Sequence, residues 1–433
     1  MPEPETPLHE RPWENVERML GVDEALVRVL SAFAPLDPVE VPLLEALGMV
    51  LTEAVVAGED VPPFRNSAMD GYAVRAVDTL GARADHPIHL RITGETPAGS
   101  PLQRSVAPGC AVRIMTGAAM PEGADAVVRF EETDEPARPV VGEPDRERPT
   151  MVGVTRPAKP WDNVRPAGED VRRGTLVLPS GTRLRPAEIG LLAALNRPTV
   201  TVHRRPRVAI LSTGDEVVDL GPPLGPGQIR NSNSHTVAAM VRRLGGEPSL
   251  LGIARDSVGA LRAKLAEGWH ADLIVTSGGV SLGDYDVVKD VLQAEGEIAI
   301  WQVRMKPGKP LAFGQVRRTP LLGLPGNPVA AAVSFEQFGR PAILKMLGRR
   351  DVAIPTVDAT IAERLDNRGQ RRHFVRVALE RDGTGYVARS AGEQGAGVLT
   401  SLVRSDGLLV VPEHLEVVEP GARLPVQMLD WGL

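Results

Sequence analysis

Five apolar runs in the middle of the chain each end in residues able to do chemistry. RVAILS (207–212) leads into Ser212-Thr213-Gly214-Asp215-Glu216, and SLLGIA (249–254) into Arg255-Asp256. DLIVTS (272–277) leads into Ser277-Gly278-Gly279-Val280-Ser281-Leu282-Gly283-Asp284-Tyr285-Asp286. IAIWQV (298–303) is followed by Met305-Lys306-Pro307-Gly308-Lys309-Pro310, and PLLGL (320–324) by Pro325-Gly326-Asn327-Pro328. Gly278 and Gly279 carry no Cβ, so backbone N–H groups there can approach an anion, and Ser281 can add a hydrogen bond. Lys306 and Lys309 can both face a polyanion across the fixed Pro-Gly turn between them. Glu216, Asp256 and Asp286 cannot hold a phosphate themselves. Grouped with lysines near an anion, they suit magnesium, which favours carboxylates plus substrate oxygens. The set predicts a phosphate- or nucleotide-bearing substrate held through a metal.

These ends need a frame. Between the first four runs lie three amphipathic stretches, carrying Val237, Met240, Val241 and Leu244, then Val258, Leu261 and Leu265, then Val287, Val288, Val291 and Leu292. With a further run, LAFGQV (311–316), and a long helix from Pro328 to about Leu347, the pattern predicts a βα domain over 201–348. Its sheet is expected to be mostly parallel, with the ligand site off the carboxyl ends of the strands. Upstream, Leu26, Val29, Leu30 and Phe33 make one helical stripe. A short helix is expected over 42–47 and an extended run over 49–57. Residues 61–156 read as an inserted β-rich domain, with an exposed loop or hairpin tip over 131–149. The helix predicted from Pro186 to Leu195 groups with the N-terminal helices as a helical linking domain, 12–60 plus 157–200. Residues 349–433 read as a C-terminal β domain, with Asp382-Gly383 at a hairpin turn. The expected fold class is therefore multi-domain, α/β and β.

The 433 residues suggest roughly three domains. A net charge of −6 and 3% aromatic residues argue against nucleic-acid binding. One cysteine, Cys110, rules out a disulfide framework and a multi-thiolate metal site. No signal-peptide pattern and no membrane-length apolar run is present, so a cytoplasmic protein without membrane partners is expected. His86 and His89 flank Pro87, which breaks the helical face a metal-binding pair would need. No HExxH or GxxxxGK[ST] pattern occurs.

SAMDGYAV (67–74), RIMTGAAMPEGADAVV (113–128), GEDV (168–171), STGDE (212–216), TSGGVSLGDYD (276–286), KPGKP (306–310) and GLPGNPVA (323–330) together resemble the molybdopterin molybdotransferase family, which includes MoeA and the gephyrin E domain. The likeness runs from about Val22 to the C-terminus. It implies an elongated homodimer of four-part subunits that inserts molybdate into adenylylated molybdopterin and releases AMP with magnesium. It implies functional roles for Asp70, Thr116, Asp170, Glu216, Asp256, Asp286, Lys306, Pro325, Pro328 and Arg376, with Lys309 completing the basic pair. Asp70 and Thr116 are expected to face the βα unit of the other subunit, and other molybdenum-cofactor biosynthesis proteins are expected partners. Two alternatives are a molybdopterin adenylyltransferase and a gephyrin-like scaffold. The family pattern Gln-Gly-Ser reads Gln394-Gly395-Ala396 here, without the hydroxyl, and Arg230-Asn231 stands where relatives often have Tyr-Asp.

Overall fold

The run Arg207–Thr213 forms β1, and every residue after the first is buried, as a strand covered on both faces requires. It shares a six-stranded sheet with β2 (Glu247–Ala254), β3 (Leu273–Ser277), β4 (Gly296–Gln302), β5 (Pro310–Val316) and β6 (Thr319–Leu324). The spatial order is β2-β1-β3-β6-β5-β4. β2, β1, β3 and β6 are parallel. β5 is antiparallel to both neighbours, so the sheet is mixed, and β4 again points with the parallel four. Five strands therefore end on one edge, and the 303–309 segment returns the chain into β5 from that same edge.

This computed structural model describes residues 19–99, 105–135, 150–279, 296–383 and 385–429. The helix expected around Val287–Leu292 and most of the loop over 131–149 lie outside them. The chain divides into two compact units. One comprises Met1–Glu53, Gly181–Pro186 and Thr199–Leu433; the other comprises Ala54–Ser180 and Ala187–Pro198.

In the first unit, α1 (Val22–Ser31) buries Val22, Ala25 and Val29, with Phe33 just beyond it, in the core that includes Val208 and Ile210 of β1. Leu26 and Leu30 pack at the margin of that core, so the buried stripe is displaced toward Ala25 from the predicted one. Burial of each valine contributes about 1.5–3 kcal/mol. The N-terminal helix thus belongs to the sheet's core, whereas the sequence grouped it with the helix at Pro186–Ala194. The latter packs in the second unit, with Leu191 against the cluster of Ala57, Val171 and Leu195. Further helices of the first unit are α2 (Ser232–Arg243), α3 (Val258–Glu267) and α4 (Pro328–Ser334). α4 continues through a wide π turn, Phe335–Gly339, into α5 (Arg340–Met346), where one regular helix was expected. Pro341 has no N–H to return to the preceding turn, which interrupts the regular ladder there. The stretch 42–47 contains only a 3₁₀ turn, Leu43–Ala46. The stretch 49–57 is broken into isolated bridges at Val50 and Leu51 and the short strand Val55–Val56.

The C-terminal strands close on themselves. β7 (Thr356–Ile361), β8 (Arg372–Asp382), β9 (Gly385–Ser390), β10 (Gly407–Val411) and β11 (Arg423–Met428) pair as β8-β9-β7-β11-β10 and back to β8. Val375, Val377, Leu409 and Val426 share the barrel's buried cluster. Met305-Lys306 adds to β8 in parallel, with Lys306 opposite His373, and this pairing ties the basic loop to the barrel.

The second unit carries a five-stranded sheet, in the order Ala126–Arg129, Gly71–Val74, Cys110–Ile114, Ile88–Thr96 and Met151–Val154. Tyr72, Val74, Leu90 and Val128 fill one face of it. Among the described residues no helix is long and apolar enough to cross a membrane.

The two-residue turn from β5 to β6, Arg317-Arg318, has φ of 50° and 90°. Glycine adopts such values without the Cβ penalty. Arg317 stacks on Trp269 at 3.8 Å, so its side chain is in use. Arg318→Gly should therefore stabilise the protein by about 1 kcal/mol. A thermal melt checks this, with Tm expected to rise; an unchanged or lower Tm contradicts it.

Candidate active site

Four of the loops at the carboxyl edge, and the loop entering β5, meet at a cleft of about 740 Å³. Thr213, Gly214 and Glu216 follow β1, Asp256 follows β2, and Gly278 and Gly279 follow β3. Lys306 through Pro310 lie between β4 and β5, and Pro325, Gly326 and Asn327 follow β6. The barrel adds Arg371 from just before β8 and Gln394-Gly395-Ala396 from the loop after β9. Of the expected site residues, Glu216, Asp256, Gly278, Gly279, Lys306, Lys309, Pro325, Gly326 and Asn327 thus share one cleft. Ser281 and Asp286 lie outside the described residues. Ser277 is buried behind the cleft wall, and Pro328 opens α4.

Backbone geometry explains the glycines here. Gly278 has φ of +91°, and a Cβ there would come within 2.8 Å of the Thr213 carbonyl oxygen. Its N–H donates to the Leu324 carbonyl at 3.1 Å, so the loops after β3 and β6 lie against each other. Gly308 has φ of +102° and faces the Ser334 hydroxyl, where a Cβ would sit at 2.5 Å. Only glycine lets the Lys306-Pro307-Gly308-Lys309 turn pack so closely on α4.

The charges fall in two groups. On the carboxylate side, Asp215, Glu216 and Asp256 lie close together, and Asp256 N–H donates to the Asp215 carboxylate at 3.4 Å. Burial, then the charges of Asp215 and Glu216, push the Asp256 carboxyl above the usual aspartate value. On the cationic side, burial and the charges of Arg371 and Arg376 pull the Lys306 ammonium below the usual lysine value.

Arg376 sits outside the cleft, fully buried. Its Nη2 donates to the carbonyls of Glu393 at 3.3 Å and Gly395 at 3.1 Å, and its Nε to Ser401 Oγ at 3.1 Å. Its backbone exchanges hydrogen bonds with the Gln394 side chain. The role this geometry gives it is to hold the loop that presents Gln394, Gly395 and Ala396. Val329 N–H then fastens the Ala396 carbonyl at 3.0 Å, joining the loop to α4. Gln394, Gly395 and Ala396, the segment that stands for the family's Gln-Gly-Ser, line the cleft, and Arg371 is a cleft residue that no sequence motif marks. The available signal for Arg371 was its place beside a period-two strand, but no motif set it apart from Arg372, whose side chain pairs with Asp23 at 2.8 Å.

In the second unit, Asp70 and Thr116 meet: Asp70 Oδ1 accepts from both the N–H and the hydroxyl of Thr116, each at 2.8 Å. Thr116 is exposed. Asp170 is exposed too, in a turn held by its N–H to the Val61 carbonyl at 3.0 Å. His86 lies in a tight bridge with Arg83, and His89 lies 3.3 Å from the Asp134 carboxylate. Among the described residues neither belongs to a metal-holding cluster.

Family models match nearly all the described chain. Residues 20–196 match the MoeA N-terminal region (domain I and II), 209–345 a probable molybdopterin binding domain, and 358–429 the MoeA C-terminal region (domain IV). Molybdopterin molybdenumtransferase 2 of Mycobacterium tuberculosis is 40% identical over 398 residues, covering 90% of this chain and 94% of that protein. The chain belongs to the molybdopterin molybdenumtransferase family. A molybdopterin molybdenumtransferase of Nostoc sp. is 40% identical over 379 residues, covering 86% of this chain and 84% of that one. The solved molybdopterin biosynthesis MoeA protein of Pyrococcus horikosii is similar in fold, with a TM-score of 0.79 and 32% identity over 95% of this chain and all of that one. The multi-domain architecture with mixed sheets and a C-terminal barrel is that of this family.

His373, opposite Lys306, is buried with neither ring nitrogen hydrogen-bonded to a described residue. Burial, followed by the charges of Lys306, Arg376 and Arg371, holds its pKa down to about 3, from an ordinary 6.5. The unfolded chain takes up a proton at this position that the folded chain refuses. Stability from this group is therefore complete above about pH 6.5 and is lost as pH falls toward about 3. His373→Gln should flatten the fall of Tm across that window. Parallel Tm-against-pH curves for the two proteins contradict this.

Proposed function

We propose that the chain inserts molybdenum from molybdate into adenylylated molybdopterin and releases AMP. It is a transferase of molybdenum-cofactor biosynthesis by family. The observation that carries the finer reading is that Glu216 and Asp256 line the same cleft as Lys306, Lys309 and Arg371. A substrate with a pyrophosphate and an oxyanion co-substrate needs both kinds of charge in one place. An adenylyltransferase reading accounts for the βα domain alone, while the family likeness extends through the flanking regions and the barrel.

The carboxylates fit magnesium. Among the described residues no group of three or more His, Cys, Asp or Glu could hold an ion unaided. Two carboxylates completed by substrate oxygens is the usual arrangement for magnesium on a phosphate ester. Burial raises Asp256 most, and the added repulsion from Asp215 and Glu216 is what a divalent cation would relieve. Glu216 and Asp256 would hold it, with Asp286 as a further ligand from the resemblance. When bound, it neutralises charge on the pyrophosphate oxygens.

The protein's own contribution is placement and charge. Gly279 lets the substrate's anion approach the backbone, while the Gly278 N–H, expected from sequence to do the same, is committed to the Leu324 carbonyl. Lys306, Lys309 and Arg371 orient molybdate and compensate negative charge as the phosphoanhydride breaks. Such cleavage needs electrostatic stabilisation more than a protein nucleophile. The working molecule is a homodimer, in which Asp70 and Thr116 of one subunit serve the reaction in the other; their exposed pairing supports this reading.

The direct test is anaerobic incubation with adenylylated molybdopterin, molybdate and magnesium, following AMP. Molybdate-triggered AMP release is expected; consumption of ATP to make the adenylylated pterin instead overturns the reading. Asp256→Asn should lower turnover by about 10²–10³. Because a raised Asp256 carries its proton to higher pH than an ordinary aspartate, the magnesium concentration for half-maximal rate should rise on acidification already above pH 3.8. Mixing inactive Asp70→Ala and Glu216→Gln subunits should restore activity that neither has alone. No recovery after verified subunit exchange contradicts the shared site.

A further inference from the structure

The loops after β3 and β6 are joined by a side chain from a third element. Asn233, the second residue of α2, donates from Nδ2 to Ser277 Oγ at 2.7 Å and to the Gly326 carbonyl at 2.7 Å. Both hydrogens of its amide are thereby used. Ser277 Oγ in turn donates to the Pro325 carbonyl at 3.4 Å. Two successive carbonyls of the β6 loop are thus held from the same side.

The start of α2 is itself anchored. Asn231, its N-cap, accepts from Ser234 N–H at 3.3 Å and from Ser212 Oγ at 2.8 Å, and Ser212 also meets Ser234 Oγ at 2.7 Å. Asn231 Nδ2 reaches Asp219 Oδ1 at 3.1 Å, beyond the Glu216 loop. All but Asp219 in this network are buried, so Asn233 projects from a fixed base.

Holding a carbonyl also fixes the amide beyond it. In a planar trans peptide the C=O of one residue and the N–H of the next point in opposite directions. With the Pro325 and Gly326 carbonyls turned toward Ser277 and Asn233, the N–H groups of Gly326 and Asn327 point the other way. Neither N–H donates to a described residue. Both residues line the cleft, and successive backbone N–H groups make an anion-binding concavity.

We propose that Asn233 is a positioning residue for the reaction: it turns the N–H groups of Gly326 and Asn327 toward phosphate oxygens of the bound substrate. The proposal rests on the functional reading above for the identity of that substrate. Asn233 itself touches no reacting atom.

Asn233→Asp keeps the shape and removes both donors, placing a carboxylate against Ser277 Oγ and the Gly326 carbonyl. In the full-length protein, the dissociation constant for inorganic pyrophosphate with magnesium, by calorimetry, should rise about 10–100-fold. KM for adenylylated molybdopterin should rise by a similar factor, with Tm near that of the native chain. His235→Ala, exposed on the same helix, should leave both values unchanged. Should the aspartate variant fail to fold, Asn233→Ser, which can make only one of the two bonds, is measured instead and should show a smaller rise. Native affinity for pyrophosphate in a folded Asn233 variant, or a fall in kcat with KM unchanged, overturns the proposal. Absence of AMP release by the native protein sinks the functional reading instead, and pyrophosphate binding still decides the role of Asn233.

Discussion

Like charges brought close together must be separated, neutralised or bridged, and at the carboxyl edge of this sheet they are held in place. Glu216 and Asp256 line the cleft with Asp215 beside them, and burial, then the neighbouring carboxylates, raise the Asp256 carboxyl. Lys306, Arg371 and Arg376 lie together where the barrel meets the basic loop, and burial, then the two guanidinium charges, lower the Lys306 ammonium. Under the proposed function, a substrate carrying phosphate, with a cation held by the carboxylates, would relieve both sets at once. The rest of the first unit is the scaffold that makes this crowding tolerable. Five strands aim their loops at one edge, and a barrel supplies the second wall.

That second wall is held from inside. Arg376 is wholly buried, and its Nη2 donates twice to the loop that faces the cleft. A buried charge of this kind is costly to leave unpaired, so the loop and the guanidinium constrain each other. His373 lies on the same strand, kept neutral among cations. The barrel is thus more than an appendage: its strand β8 pairs with Met305-Lys306 and fixes where the basic turn begins.

Much of this was readable in the residues. Strand-end chemistry is visible because apolar runs stop abruptly at Gly, Lys, Asp or Pro, and the five runs fell on strands at nearly the expected limits. The direction of β5 was not visible, since a continuous apolar run looks the same in either orientation, and the turn at Arg317-Arg318 lacks the usual glycine. The face of α1 was misjudged because Ala25, small and fully buried, carries little hydrophobic signal compared with Leu26 and Leu30. Arg371 and Asn233 escaped notice for a common reason. Their importance comes from contacts far along the chain, such as those of Asn233 with Ser277 and Gly326. Arg376 stands out in the sequence by resemblance alone, and its positioning role comes from its contacts with the loop at Glu393 and Gly395.

The proposal on which everything turns is that Glu216 and Asp256 would hold one metal ion that also meets the substrate's pyrophosphate. Manganese substituted for magnesium makes this observable, because an electron spin directly bonded to a phosphate oxygen couples to phosphorus. Pulsed electron–nuclear double resonance on the protein with manganese and adenylylated molybdopterin should show ³¹P coupling, and Glu216→Gln with Asp256→Asn should abolish it. Bound manganese without phosphorus coupling, or coupling that survives loss of both carboxylates, would contradict the bridge.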